Sequence, residues 1–379
     1  MKILIVSPYP VLPPIHGGRV RTAGLAEGLA RAGAEVEVLC PWYPGQPRNG
    51  RVADAFTCRS HFSAANLLPL TLEWLASPLA LLSLQPPPRR LLRSFADYDL
   101  VQFEFCAQAR WMRLVPDRVV IVYSAHNVER DYSEQDSSRH LLWRTSLGRV
   151  ERLERLAVQR SDLVVACCGQ DIERLRGLYG GVSRHAVAPN GCRTTLLRFD
   201  RLGLRAASRR AFGLADEDRV ILFLGGDASH NREAVQFLLA QVLPELKPRT
   251  RLWIVGKSGG EPARSADGRV RFFGFVDDLR PYFAAADVAV NPVEHGSGSS
   301  VKLLDYLAAG LPVVSTSVGS RGLPEPPPGV LVVPRSQFAS ALHRSFADVG
   351  VDRAGLESVT WEHVGRGLLR EYGALRAAR

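Results

Sequence analysis

VAVNPVEHGSGSSVKLLDYLAAGLPVV, residues 288–314, is the stretch on which the fold turns. It opens as an apolar run of the kind that lies in a sheet covered on both faces, and it ends at Asn291-Pro292. A loop of small residues follows, then a helix starting near Ser299–Val301 and stopping at Gly310, then a second apolar strand. Gly296 and Gly298 let the backbone approach a ligand closely. The first N–H groups of the helix, at Ser299, Ser300 and Val301, point outward at the positive end of its dipole and favour a phosphate there. Lys302 in the first turn reaches the same anion. Asp305, three residues on and on the same helical face, carries a carboxylate that can accept both hydroxyls of a ribose. Spacing alone fits an ordinary capped helix with a solvated lysine and aspartate equally well, because glycine loops before helices are common.

The same order of parts opens each half of the chain. Lys2–Ser7 reads as a buried strand, Pro8–Gly18 as a polar loop ending His16-Gly17-Gly18, Val20–Ala32 as a helix stopped by Gly33, and Glu35–Cys40 as a strand. That is a βαβ unit with parallel strands. It recurs at Arg219–Leu224, Gly225-Gly226, a helix over Asn231–Leu246 and a strand over Arg251–Val255. Two such starts predict an α/β protein of two doubly wound, Rossmann-like domains, residues 1–190 and 191–360. Pro189-Asn190-Gly191 and the polar stretch to about Asp218 read as the linker. The last helix, within 361–379, comes too late to belong simply to the second sheet and is expected to cross back onto the first domain.

Composition narrows the function. The 379 residues are 46% hydrophobic and 23% charged, which excludes disorder and fibrous architectures. The net charge of +10 is shared equally by the two halves, so no basic tail or basic domain marks a nucleic-acid partner, while anionic small molecules and a membrane surface remain open. The six cysteines show no metal-ligand spacing and read as reduced thiols of a cytoplasmic protein. Phe62–Leu84, the most lipid-like stretch, is interrupted by Pro69, Glu73 and Pro78 and does not read as a bilayer span. With the basic cluster Arg89, Arg90 and Arg93 behind it, this stretch reads as an acceptor-entrance element in peripheral contact with the inner face of the membrane, or as a helical pair packed on the first domain.

With these residues in place, the chain resembles a family. GFVDDLRPYFAAADVAVNP (Gly274–Pro292) and HGSGSSVKLLDYLAAGLPVVSTSVGSRGL (His295–Leu323) look like the donor-site signature of retaining family-4 glycosyltransferases of the GT-B fold. The likeness continues through Phe223–Leu246, through YSAHNVE at Tyr123–Glu129 and into the opening loop. It implies two Rossmann-like domains facing a central cleft, an acceptor on the first, a nucleoside-diphosphate sugar on the second, and neither cofactor nor metal. Carried over by position, Asp305 falls where the family grips the ribose, Phe275 and Val276 where it lines the base, and Gly17 and Gly18 at a glycine turn whose N–H groups approach the diphosphate. Gly298, Ser299, Ser300, Val301 and Lys302 complete the diphosphate site, and Glu294, His295, Gly296 and Ser297 face the sugar. His126 matches the family histidine that faces the transferred sugar, which makes it, with Lys302, a catalytic candidate; Glu129 is a weaker one that also reads as a helix-start charge. The chain departs from the pattern twice. Ser297 stands where a partner glutamate is usual, and Gly225–Asn231 replaces the Arg…Lys phosphate pair, which leaves the diphosphate to Lys302, with Arg19 and Lys257 as further candidates.

The expected reaction is transfer of a sugar from a nucleoside diphosphate to a hydroxyl of a glycan, a lipid-linked glycan or another acceptor, with retention of configuration. Preorganised N–H groups and Lys302 would stabilise the leaving diphosphate. No GxSxG, HExxH or Cys–His pairing offers a nucleophile. Asp97-Tyr98-Asp99 and Asp216-Glu217-Asp218 match a metal-binding Asp-x-Asp by letters only, since one precedes its strand and the other sits in a turn. Two alternatives stay open: a nucleotide-sugar epimerase on the same fold, and a non-catalytic nucleotide-sugar-binding partner of another transferase.

Overall fold

The computed structural model describes residues 1–14, 16–43, 49–52, 55–62, 77–88, 94–136, 141–295, 300–323, 328–344 and 349–379. It resolves into two compact units, the first taking in Met1–Pro14, Gly18–Pro189 and Trp361–Arg379, the second built on Asn190–Thr360.

The first unit is organised on strands β1 (Lys2–Val6), β2 (Glu35–Pro41), β3 (Asn49–Val52), β4 (Phe56–His61), β5 (Leu100–Glu104), β6 (Val120–Ala125), β7 (Leu163–Ala166) and β8 (His185–Val187). They lie in the order β3-β4-β2-β1-β5-β6-β7-β8, with β3 antiparallel on the edge and the others parallel. β1 sits between β2 and β5, with Ile3 opposite both Val36 and Leu100, and is apolar toward both faces because helices cover both. Helices α1 (Gly17–Arg31), α2 (Pro78–Leu82), α3 (Glu129–Asp136), α4 (Leu141–Arg160) and α5 (Gly169–Tyr179) supply the connections. The short β3–β4 pair is absent from the sequence reading, since NGRV and FTCRSH carry polar residues at every other position. α1 starts at Gly17, three residues before Val20. Gly17 and Gly18 are therefore its first turn, not a free glycine turn. Of the stretch expected to form the acceptor entrance, residues 63–76 and 89–93 lie outside the described residues; Pro78–Leu82 is the single turn α2, buried but for Pro78.

The chain ends on this same unit. The terminal helix (Trp361–Ala377) shares a core with α1 and β1, where Ile3, Ile5, Leu25, Leu29, Trp361, Val364, Leu368 and Tyr372 meet. Arg376 then pairs with Asp99 at 2.9 Å, and Arg379 with Asp162 at 2.5 Å. The two helices touch at backbone distance: a Cβ on Gly365 would overlap the backbone of Gly28 and Leu29, and one on Gly28 would overlap Trp361.

The second unit places β9 (Arg219–Leu224), β10 (Thr250–Val255), β11 (Ala263–Arg264), β12 (Val270–Gly274), β13 (Val288–Asn291), β14 (Val313–Ser315) and β15 (Val330–Val332) in the order β11-β12-β10-β9-β13-β14-β15. Only β11 runs antiparallel among them. The stretch read as a linker is instead helical, with α6 (Thr194–Leu197) and α7 (Arg201–Ala211). Its polarity has a structural cause. Arg201, Arg205 and Arg209, spaced one turn apart, donate to the carbonyls of Ala286 (2.7 and 2.9 Å, from Arg201 and Arg205) and Ala285 (3.2 Å, from Arg209), where the helix over Arg280–Ala285 ends. Those carbonyls have no partner within their own helix, and the guanidinium groups supply one. The remaining helices that bear on function are α8 (Ser229–Phe237), α9 (Arg280–Ala285) and α10 (Val301–Ala308). The helix expected over Asn231–Leu246 leaves regular α geometry after Phe237, continuing as a π turn over Leu238–Val242 and a 3₁₀ turn at Leu243–Glu245 that contains Pro244.

Because the α1–terminal helix contact leaves no space for a methyl group, Gly365→Ala should lower the stability of the first unit by about 1–3 kcal/mol. Denaturant melts of the variant against the wild type measure this, and an unchanged midpoint would mean that the terminal helix does not seat as described.

Candidate functional site

In the second unit the sheet changes winding direction between β9 and β13, and α8 and α10 follow these two strands. Ligands of open α/β sheets bind at the carboxyl ends of the strands at such a point. Asn231 of α8, buried, donates through Nδ2 to the Gly226 carbonyl at 3.1 Å, which fixes its amide. Its Oδ1 then accepts from the Lys302 ammonium at 2.7 Å. The same ammonium lies 4.4 Å from the centroid of the Phe223 ring. One carbonyl oxygen and one aromatic face are little compensation for lost water, and burial brings the lysine down to about 7. His230 beside it is brought down to about 4 by burial and then by the charge of Lys302, so it adds no cation.

Asp305, one turn along α10, is 4% exposed. Its Oδ2 lies 3.8 Å from the Arg193 guanidinium, and its Oδ1 is buried without a hydrogen-bond partner among the described residues. Burial pushes its carboxyl up, and Arg193 works against that shift. An acceptor oxygen left bare in this way fits a ligand hydroxyl. Tyr306 is fixed by the Leu224 N–H, which donates to its hydroxyl at 2.7 Å and ties α10 to the end of β9. Ser300 stands at the cap of α10, its hydroxyl accepting from Asn291 Nδ2 at 3.1 Å, and Val301 is half-buried behind it. Gly256, at φ 101°, turns the chain after β10 where a Cβ would strike the Gly225 carbonyl.

The other sequence candidates fall as follows. Phe275 is 44% exposed and Val276 half-buried against the core of this unit. Glu294 is exposed and paired with Arg335 at 3.5 Å; His295 is exposed. Gly296, Ser297, Gly298 and Ser299 lie outside the described residues. Lys257 is exposed in a 3₁₀ turn after β10, and Arg19 is buried with Nη1 donating to the Pro13 carbonyl at 3.3 Å.

In the first unit the winding reverses between β1 and β5. Gly18 packs against the Tyr9 hydroxyl and the Phe105 ring, leaving no room for a side chain, and Tyr9 and Phe105 meet edge to face at 5.2 Å. His126, just past β6, is 5% exposed and lies against Phe105, centroids 3.9 Å apart. Its Nε2 is hydrogen-bonded to Oε2 of Glu104, the last residue of β5. Burial lowers the imidazole, and Glu104 opposes this only in part. Burial also acts to raise Glu104, but His126, Gln102 and Arg21 together hold its carboxyl below its ordinary value. The His126 carbonyl accepts from Cys167 Sγ at 3.3 Å.

Glu129 does not read as a solvated helix-start charge. It is buried, accepts from Asn127 Nδ2 at 3.3 Å, and burial and Glu154 push its carboxyl well up. The side chain that caps the start of α3 is Glu154, reaching in from α4 to accept from the N–H groups of Glu129 (2.7 Å) and Arg130 (3.1 Å) and from the Tyr179 hydroxyl (2.8 Å). Sequence reasoning missed Glu104, Gln102, Glu154 and Arg193, and named Asn231 only within the segment that replaces the Arg…Lys pair. Gln102 and Glu104 did leave a signal: they are the polar alternates of an otherwise apolar strand, LVQFE.

Comparison with known proteins now gives the class. Residues 15–196 match the family model described as Glycosyltransferase Family 4, and residues 218–348 the model described as Glycosyl transferases group 1. The two halves of the chain thus each resemble a glycosyltransferase domain, and the fold is GT-B. Among curated relatives, the D-inositol 3-phosphate glycosyltransferase of Geodermatophilus obscurus is 29% identical over 249 residues, 58% of this chain and 54% of that protein. An uncharacterized glycosyltransferase of Methanocaldococcus jannaschii is 25% identical over 350 residues, 84% of this chain and 81% of that protein. The chain thus spans about half the length of the first relative. Among solved structures, sucrose-phosphate synthase from Thermosynechococcus elongatus superposes with a TM-score of 0.75 at 19% identity, covering 100% of both chains. HepE of Anabaena, in complex with UDP-glucose, does so with a TM-score of 0.63 at 16% identity, covering 100% of this chain and 98% of its own. At these identities the two structures establish the fold.

The state of Lys302 has a stability signature. Its folded value near 7 lies below the usual lysine value of 10.5, so the native state binds fewer protons than the unfolded state between those limits. The cost of holding the ammonium is full below pH 7 and fades as pH rises toward 10.5. Wild type should therefore gain thermal stability relative to Lys302→Met between pH 6 and pH 9. Melting curves of both proteins across that range test it, and parallel curves would show that Lys302 is fully hydrated.

Proposed function

We propose that this protein transfers a glycosyl group from a nucleoside-diphosphate sugar to a hydroxyl acceptor with retention of configuration and without a metal ion. The observation that carries this reading is the pairing, on one helix, of a poorly hydrated ammonium (Lys302) with a buried carboxylate oxygen that has no hydrogen-bond partner among the described residues (Asp305). The first suits a diphosphate and the second a ribose. UDP and UDP-glucose, named with the solved HepE structures, exemplify the ligand class.

In this reading the bond from the anomeric carbon to the diphosphate oxygen breaks as the acceptor oxygen attacks on the same face. The acceptor proton passes to the departing phosphate oxygen, and Lys302 with the N–H groups at Ser300 and Val301 offsets the charge that grows there. Such a step needs alignment and leaving-group stabilisation more than a strong base. His126 would face the transferred sugar, and exclusion of water would protect the donor from hydrolysis. A glycan, a lipid-linked glycan or another hydroxyl compound is the acceptor class, with cytoplasmic location and peripheral contact at the inner membrane face. All six cysteines are free thiols, in keeping with a reducing compartment, and no helix among the described residues is long and apolar enough to cross a membrane.

Thermal stabilisation by UDP, GDP, ADP and TDP in turn tests the reading and identifies the base. One of them should raise the melting temperature of wild type and leave Lys302→Ala unmoved; a shift that persists in this variant would remove Lys302 from the site. The proton account gives a second test. A diphosphate requires the charged lysine, which in the free protein is lost as pH rises through about 7. Affinity for the stabilising nucleotide should fall about tenfold per pH unit above pH 7.5 in wild type and stay level in Lys302→Met, as titration calorimetry will record.

A further inference from the structure

In the first unit a line of buried polar side chains runs from the terminal helix to His126. Tyr372, fully buried, donates its hydroxyl proton to Gln102 Oε1 at 2.6 Å. Gln102 Nε2 donates to Glu104 Oε1, and Glu104 Oε2 meets His126 Nε2. Gln102 and Glu104 are 0% exposed. They occupy alternate positions of a central strand whose neighbours in sequence are leucine, valine and phenylalanine. Burying two such groups without partners would cost several kcal/mol, so an ordinary core would place apolar residues there.

We propose that Glu104, with its carboxylate oriented through Gln102 and Tyr372, is a positioning residue that fixes His126 as its Nε2–H tautomer. The line has a direction. Glu104 sets it, because a tyrosine hydroxyl can donate or accept whereas a carboxylate only accepts: Glu104 turns the NH2 of Gln102 toward itself and leaves the amide carbonyl to accept from Tyr372. A carboxylate accepts only, so it takes one proton from Gln102 and one from His126. The Ser124 hydroxyl adds a third donor to Glu104 Oε2 at 3.3 Å. The charged and titratable groups that act on the pair are Arg21, on α1, which favours the carboxylate, and Glu104 itself, which supports the imidazole against its burial. With the proton fixed on Nε2, Nδ1 becomes the acceptor nitrogen of the ring, and a sugar hydroxyl that meets it must donate. That consequence rests on the reading above, in which His126 faces the transferred sugar; the tautomer assignment does not.

The polarity gives a test. In Glu104→Gln no acceptor-only group remains, so the two amides, the tyrosine hydroxyl and the imidazole can reverse together and the ring loses its single tautomer. An analogous replacement of a histidine-orienting carboxylate in a serine protease triad produces the wrong tautomer and a large loss of kcat. Long-range proton–nitrogen NMR on histidine-labelled protein reads the tautomer directly, with His126→Gln assigning the signal and thermal melts confirming that each variant folds. The expected sequence is Nε2–H in wild type and a tautomer mixture in Glu104→Gln. An Nδ1–H wild type, or a tautomer that ignores Glu104→Gln, overturns the proposal. Should Glu104→Gln not fold, Glu104→Asp serves: a carboxylate drawn back from the ring by one methylene should leave a tautomer mixture, and an unchanged ring overturns the proposal. Turnover of UDP-glucose, run in parallel, separates the two readings. A tautomer that follows the expected sequence while turnover stays at the wild-type rate keeps the relay and removes His126 from the reaction.

Discussion

A parallel sheet that is covered on both faces must reverse its winding once, and at that place two adjacent strands send their following helices to opposite faces. The carboxyl ends of those strands are left uncovered, and backbone and side chains there can meet a ligand. This constraint organises both units. In the first, the reversal falls between β1 and β5; Glu104 ends β5, Phe105 follows it, and Gly18 stands in the helix after β1. In the second, it falls between β9 and β13. There the hydrogen bond from Lys302 to Asn231 joins the helices that diverge from that point.

The two reversals hold charge in opposite ways. Glu104 is fully buried but accepts from Gln102, Ser124 and His126, so its lone pairs are committed within the protein. A carboxylate satisfied in this manner orients its neighbours and has nothing left for a ligand. Lys302 has the reverse economy: one amide oxygen, one ring face, and a lowered affinity for its own proton. A group in that condition is stabilised by whatever anion arrives, which is the electrostatic meaning of a prepared binding site. Asp305 complements it with an acceptor oxygen that lacks a donor among the described residues. On the proposed reading, the first arrangement contributes geometry and the second contributes binding.

What the sequence disclosed follows the same physics. Apolar runs such as Lys2–Val6 and Arg219–Leu224, each ending in small residues, gave the doubly wound sheets because burial on two faces leaves no alternation to misread. Position along α10 likewise pointed to Lys302 and Asp305, since a helix start carries its own signature. Partners brought together by folding left almost no trace. Asn231 was legible only as the replacement for a missing cation, although its amide aims the lysine. Glu154 caps α3 from 25 residues downstream, and no local pattern announces that. The polar stretch before β9 read as a linker because arginines that serve a neighbouring helix look the same as arginines that serve water. Gly17-Gly18 read as a turn because the helix they open has weak helix formers at its start.

On the proposed reading, the departure from the resembled family's pattern at Gly225–Asn231 bears on how a diphosphate would be held. An arginine and a lysine at that place would bring two permanent charges; an asparagine brings a dipole. The dipole cannot offset a diphosphate, but it has a use that a second cation would not have. A cation beside Lys302 would repel its ammonium, whereas the Asn231 carbonyl oxygen attracts it and fixes its direction. On that reading the backbone N–H groups at the start of α10, which are neutral, directional and insensitive to pH, would supply charge compensation beside Lys302. Such a site trades strength of attraction for geometry. It favours a ligand whose negative charge develops at one oxygen during the reaction over one that is merely anionic throughout, and that preference is the one glycosyl transfer requires of a leaving diphosphate.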